Sequence, residues 1–110
     1  MPNMKIYVDA GRGAQTVADI RGILQPLRSM LCRELDVDVT ACQIVIVDVC
    51  GLEDQPAVNA EILLLPRPER SRERITEVCK LIREIIADAT GLHVAVRSGM
   101  LDPQTYVALK

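Results

Sequence analysis

The spacing of apolar residues along the chain divides it into six elements. Residues 4 to 8, MKIYV, are short and rich in β-formers, and the glycine-arginine-glycine stretch beyond them ends the run, so the pattern predicts a strand. From Thr16 the period changes. Val17, Ile20, Ile23, Leu24, Leu27, Leu31 and Leu35 recur at three and four positions, the stripe of an amphipathic helix with Thr16 as its expected N-cap. Gly22 and Pro26 lie inside it. The stripe keeps its phase through both, so one helix kinked near Pro26 is expected.

Residues 42 to 49, CQIVIVDV, form a nearly continuous apolar run with many β-branched side chains, the pattern of a strand covered on both faces. GLEDQPA follows as a loop. The second half repeats the order. AEILLLP at 60 to 66 predicts a strand, PRPERS a turn, and Ile75, Val78, Leu81, Ile82, Ile85 and Ile86 a second helix that Thr90-Gly91 ends. LHVAV at 92 to 96 predicts a short strand, and TYVAL a last extended piece.

A shift of 58 residues sets Val17 on Ile75, Ile20 on Val78, Leu24 on Ile82 and Leu27 on Ile85, and also Arg12 on Arg70. The expectation is a single domain, residues 1–110, made of two βαβ repeats at about 1–52 and 58–110. Its class is α/β (α+β), a four-stranded mixed sheet with two helices on one face. Two helices leave the other face bare, while the central strands read as covered on both sides. A second copy of the chain is the simplest cover, so a homo-oligomer is expected. The order βαββαβ suits a ferredoxin-like sheet, in which the two strands of each half are kept apart. It equally suits an arrangement in which they are parallel neighbours.

Composition narrows the function. The chain has 110 residues, 49% hydrophobic, with a net charge of −2, which gives no general attraction to nucleic acid or anionic membranes. With two tyrosines, no phenylalanine and no tryptophan, it also lacks aromatic platforms for stacking bases. No run is long and apolar enough to span a membrane and no secretory pattern opens the chain, so a cytoplasmic protein is expected. Cys32 and Cys79 fall on helical patterns and Cys42 and Cys50 near a strand. They form no CxxC and only one histidine, His93, accompanies them, so buried reduced thiols are expected and neither a metal nor another cofactor.

The opening MPNMKIYVDAGRG resembles the start of the 4-oxalocrotonate tautomerase family, with Pro2 and Gly11-Arg12 at matching spacing. The two-repeat length is similar to longer branches of that superfamily. These include carboxymethyl-hydroxymuconate isomerases, 3-chloroacrylate dehalogenases and macrophage migration inhibitory factor-like proteins. The resemblance implies the arrangement with adjacent parallel strands, a trimer, and a small carboxylic acid substrate. It also implies that Pro2, freed by removal of Met1, is a general base.

A secondary amine in an apolar site beside cations has a lowered pKa and takes a proton next to a carbonyl at neutral pH. Arg12 matches the family's carboxylate-handling arginine; read from its neighbours alone, it is equally a solvated turn residue or a partner of Asp9. Arg67 and Arg70 resemble the arginine pair of the dehalogenase and decarboxylase branches, or else form a charged surface turn. Arg97 falls where the family's second arginine would lie, while the corresponding place in the first repeat holds Gln43, a departure.

Tyr106 is a candidate proton donor to an enolate from a segment reaching a neighbouring copy, or a core residue, and Tyr7 carries the same alternatives. His93 is expected to be structural. Asp48 and Asp102 are the acids nearest to a water-activating role, and neither matches the hydrolytic branches, which favours isomerisation. Three readings stay open: an isomerase, a non-catalytic oligomeric binding or scaffold protein on the same fold, and a ferredoxin-like ligand-binding regulatory domain.

Overall fold

A computed structural model describes residues 2–110. Four strands, β1 (Asn3–Asp9), β2 (Gln43–Val49), β3 (Val58–Leu64) and β4 (Val94–Met100), form one sheet in the order β2-β1-β3-β4. β1 runs parallel to β2 and β3 parallel to β4, while β1 and β3 are antiparallel. The two strands of each half are therefore adjacent, which excludes the ferredoxin-like order. The first half carries two helices, α1 (Ala14–Arg21) and α2 (Leu24–Leu35), and the second half one, α3 (Arg72–Thr90).

Two helices in the first half correct the expectation of a single kinked one. Gly22 ends α1 by donating to the Ala18 carbonyl at 3.1 Å, and Ile23 donates back only three residues, to Ile20, at 3.0 Å. Pro26 falls in the first turn of α2, where the backbone N–H groups have no partner within the helix, so its missing N–H removes nothing. Thr16 is likewise not the N-cap: it lies inside α1, and its hydroxyl donates to the Arg12 carbonyl at 3.4 Å. At the end of α3, Gly91 takes a left-handed φ of 68°, a conformation with no penalty for glycine.

Burial alternates along the central strands. Met4, Ile6 and Val8 of β1 and Val58, Ala60, Ile62 and Leu64 of β3 point into the core, against Ile20, Leu27, Leu31, Val78, Ile82 and Ile86 of the helices. The opposite face carries Asn3, Lys5, Tyr7, Asn59, Glu61 and Arg97 together with Val45, Val47 and Leu63, as the strand register requires. The expectation that residues 42 to 49 are covered on both faces is not met within one chain: β2 is an edge strand, its residues half-buried or exposed. TYVAL does not form a strand. Beyond Met100 the chain turns at Asp102 and continues without regular structure, with Val107 75% and Leu109 93% exposed. No helix among the described residues is long and apolar enough to cross a membrane.

The two-helix arrangement makes a thermodynamic prediction. Pro26→Ala changes unfolding free energy by less than about 1 kcal/mol, the size of its effect on the unfolded chain. Relieving a proline inside a helix would instead raise it by about 3 kcal/mol, and urea unfolding distinguishes the two.

Candidate functional site

Pro2 stands at the head of β1. It is buried, and its carbonyl accepts the N–H of Gln43, the first residue of β2, at 3.0 Å. Beside it lies a cleft of about 230 Å³, walled by Pro2, Asn3, Gln43 and the C-terminal segment from Tyr106 to Lys110. The turn at Asp102 aims that segment: the Asp102 carboxylate accepts the Gln104 N–H at 2.9 Å and its carbonyl accepts the Tyr106 N–H at 2.9 Å. Tyr106 thus shares a cleft with Pro2 within one chain, partly exposed, and is not a core residue.

The antiparallel pairing of β1 with β3 decides which loops join Pro2. Asn3 sits opposite Leu63, so the turn after β3, with Arg67 and Arg70, lies at the same end of the sheet as Pro2. Arg12 lies at the far end of β1, about 20 Å away along a strand of this length. It borders a second cavity of about 500 Å³ with Asp9, Cys50, Gly51 and Glu53. There the Asp9 carboxylate is engaged by the Gly11 N–H at 2.9 Å and does not pair with Arg12.

Arg97, on the open face of β4, donates to the Asn59 side chain at 3.0 Å, in the row of the sheet that also holds Lys5 and Glu61. His93 is exposed just before β4, Tyr7 half-buried on the open face, and Asp48 exposed on β2. Within one chain, then, Pro2 and Tyr106 line one cleft, Arg67 and Arg70 share their end of the sheet, and Arg12 does not.

Arg67 and Arg70 have a use that the turn sequence did not disclose. α2 ends at Leu35 with its last carbonyls unpaired within the helix, the negative end of its dipole. Arg67 donates to the Asp36 carbonyl at 3.2 Å, Arg70 to Leu35 at 3.5 Å and Arg74 to Glu34 at 3.1 Å. Arg74 also forms an ion pair with the Glu34 carboxylate. Three cations from the start of the second helical unit thus cap the helix of the first. Arg70 is buried, and burial lowers its pKa from the ordinary guanidinium value; the Arg67 charge acts in the same direction and Glu69 opposes it.

Cys32 lies in α2, and Cys42 just before β2. Burial pushes the Cys42 thiol up to about 11; the neighbouring Cys32 adds to the shift, and Arg28 opposes it. Cys50 is exposed, and all four thiols are free. No group of three or more histidine, cysteine, aspartate or glutamate side chains is placed to hold a metal ion among the described residues.

A cleft at the head of the first strand, on a sheet of two parallel βα-linked pairs joined antiparallel, defines the class of protein: a duplicated βαβ fold with Pro2 at its candidate site. Solved structures share that fold. A native fused 4-OT superposes with a TM-score of 0.73 over 96% of this chain and 91% of its own, at 11% identity. The Q0 fused 4-OT, a symmetric trimer, gives 0.67 over 96% and 89% at 10% identity. FG41 malonate semialdehyde decarboxylase inhibited by 3-bromopropiolate gives 0.64 over 96% and 87% at 16% identity. The fold is therefore the tautomerase fold. No protein-family model matches the chain, and no curated protein matches it in sequence.

The thiol environments set an order of reactivity. At pH 8 iodoacetamide is expected to alkylate Cys50 first and Cys42 last, because the thiolate is the nucleophile and burial suppresses it at Cys42. Mass spectrometry of timed digests reads the order, which unfolding in urea should erase; early labelling of Cys42 would contradict its placement.

Proposed function

We propose that the chain is a tautomerase-type isomerase that moves a proton on a 2-oxo or 2-hydroxydienoate-type carboxylic acid, with Pro2 as general base. The observation that carries this reading is Pro2 itself, buried at the head of β1 and bordering a cleft with Tyr106. Its place on a fold shared with a fused 4-OT and a malonate semialdehyde decarboxylase supports it. The base requires that Met1 be removed, and Met1 lies outside the described residues. Once free, the Pro2 nitrogen is a secondary amine in which burial disfavours the ammonium form, so a useful fraction is neutral near pH 7. It takes a proton from the carbon next to the substrate carbonyl and returns it further along the conjugated chain. Tyr106 donates a hydrogen bond to the enolate oxygen as charge develops there.

Arginines hold the substrate carboxylate in a two-pronged grip. No arginine lines the Pro2 cleft in a single chain among the described residues, so the grip comes from a neighbouring copy. In this reading Arg12 and Arg97 serve across a subunit boundary, with Arg67 beside them on the same end of the sheet as Pro2 and Arg70 chiefly holding that turn in place. A homotrimer that covers Val45, Val47 and Leu63 on the open face brings these ends together, and the symmetric trimer of a fused 4-OT supports that assembly. The absence of an arginine from the cleft of one chain also favours the second reading, a non-catalytic oligomeric binding protein on the same fold.

Activity on 2-hydroxymuconate separates the two. Pro2→Ala should lower kcat/KM by about 100-fold or more, the usual cost of losing a positioned base. The wild-type rate should rise with pH as the amine loses its proton, with a midpoint below the ordinary α-amino value of about 8. Arg12→Ala should act mainly on KM. Full activity in Pro2→Ala would overturn the proposal, and no activity in the wild type would favour the binding protein.

A further inference from the structure

A groove runs between α3 and the second half of β4, about 510 Å³ in volume, and it shares no lining residue with the Pro2 cleft. Ile75 of α3 faces Val96 and Met100 of β4 across it, with Ser98 between the two strand residues. Arg70 and Arg72 also line it, and Arg72 is the first residue of α3, where unpaired N–H groups add positive potential. The groove is therefore apolar along the strand and cationic at the helix start.

Arg70 is what marks it as a site. The residue is only 6% exposed, yet its charge meets no carboxylate at ion-pair distance among the described residues; Glu69 lies instead against Arg67, at 3.9 Å. Its Nη1 and Nη2 donate to the carbonyls of Leu65 and Leu35, and its buried Nε has no hydrogen-bond partner. Buried donors of native proteins are paired, and a buried cation whose bonds are all to neutral carbonyls still carries a net positive charge that attracts an anion. Nη1 is held firmly at 2.7 Å and Nη2 loosely at 3.5 Å, and the side chain lines the groove.

We propose that this groove binds a monocarboxylate with an apolar body. The carboxylate sits between Arg70 and Arg72, and the hydrocarbon lies against Ile75, Val96 and Met100. The site is independent of Pro2 and of the isomerase reading, and stands if that reading fails.

The test is a titration of the full chain with octanoate, followed by amide chemical shifts, alongside octanamide, which lacks the charge, and acetate, which lacks the body. The expected result is saturable shifts at residues 70–79 and 96–100, with octanamide and acetate each weaker by about ten-fold or more. Removing Arg70 would disturb the end of α2, so the variant of choice is Ser98→Asp. It sets a like charge beside the ligand on an exposed strand position and should weaken octanoate by about ten-fold while leaving the rest of the spectrum in place. Equal binding of octanamide, undiminished binding to Ser98→Asp, shifts centred on Pro2 and Gln43, or no saturable binding because a second copy of the chain fills the groove would each overturn the proposal.

Discussion

The antiparallel pairing of β1 with β3 is the constraint on which the rest of the molecule depends. It joins the two βαβ halves at the centre of the sheet and sets Met4, Ile6 and Val8 beside Ile62, Ala60 and Val58 on one buried face. Because the strands run in opposite directions, the start of each half meets the end of the other half's first strand. Pro2 therefore lies with the turn after β3, the start of β2 and the end of β4, and not with its own Gly11-Arg12. One pairing fixes both the core and the composition of the candidate site.

The same pairing explains where the arginines went. It brings the turn after β3 against the end of α2, and a helix end with unpaired carbonyls attracts cations. Arg67, Arg70 and Arg74 answer Asp36, Leu35 and Glu34, so the second half of the chain completes the helix of the first. Each such contact is worth about 0.3–1 kcal/mol at an exposed helix end and up to about 2 when partly buried. Together they hold the turn after β3 against the end of α2. Only Arg70 is sunk so far that it keeps an unpartnered donor, and its surplus charge borders a groove that has apolar walls.

Much of this was legible in sequence, for a physical reason in each case. Strands with β-branched residues and helices with a three-and-four stripe announce themselves locally, and so does the pairing of Pro2 with Gly11-Arg12 around one strand. The break between α1 and α2 was obscured because the stripe keeps its phase, although Gly22 and Pro26 both fit a helix end followed by a first turn. Strand order was not legible: βαββαβ is satisfied by two sheets, and only contacts between distant residues choose between them. The capping role of Arg70 was hidden because its partner Leu35 lies on another element far back in the chain. TYVAL has the composition of a strand but no strand beside it in a single chain, and so remains irregular while walling the Pro2 cleft.

The proposed isomerase requires a free amine at Pro2, a useful fraction of it neutral near pH 7, beside a surface that holds a carboxylate. The most direct measurement is the intact mass of natively produced protein before and after exposure to 3-bromopropiolate near neutral pH, with the modified peptide sequenced. The expected result is a chain that has lost Met1 and gains one adduct, on the Pro2 nitrogen, with labelling slowed by a competing dienoate. A chain that retains Met1, or one whose Pro2 amine stays unmodified while other groups react, would contradict it.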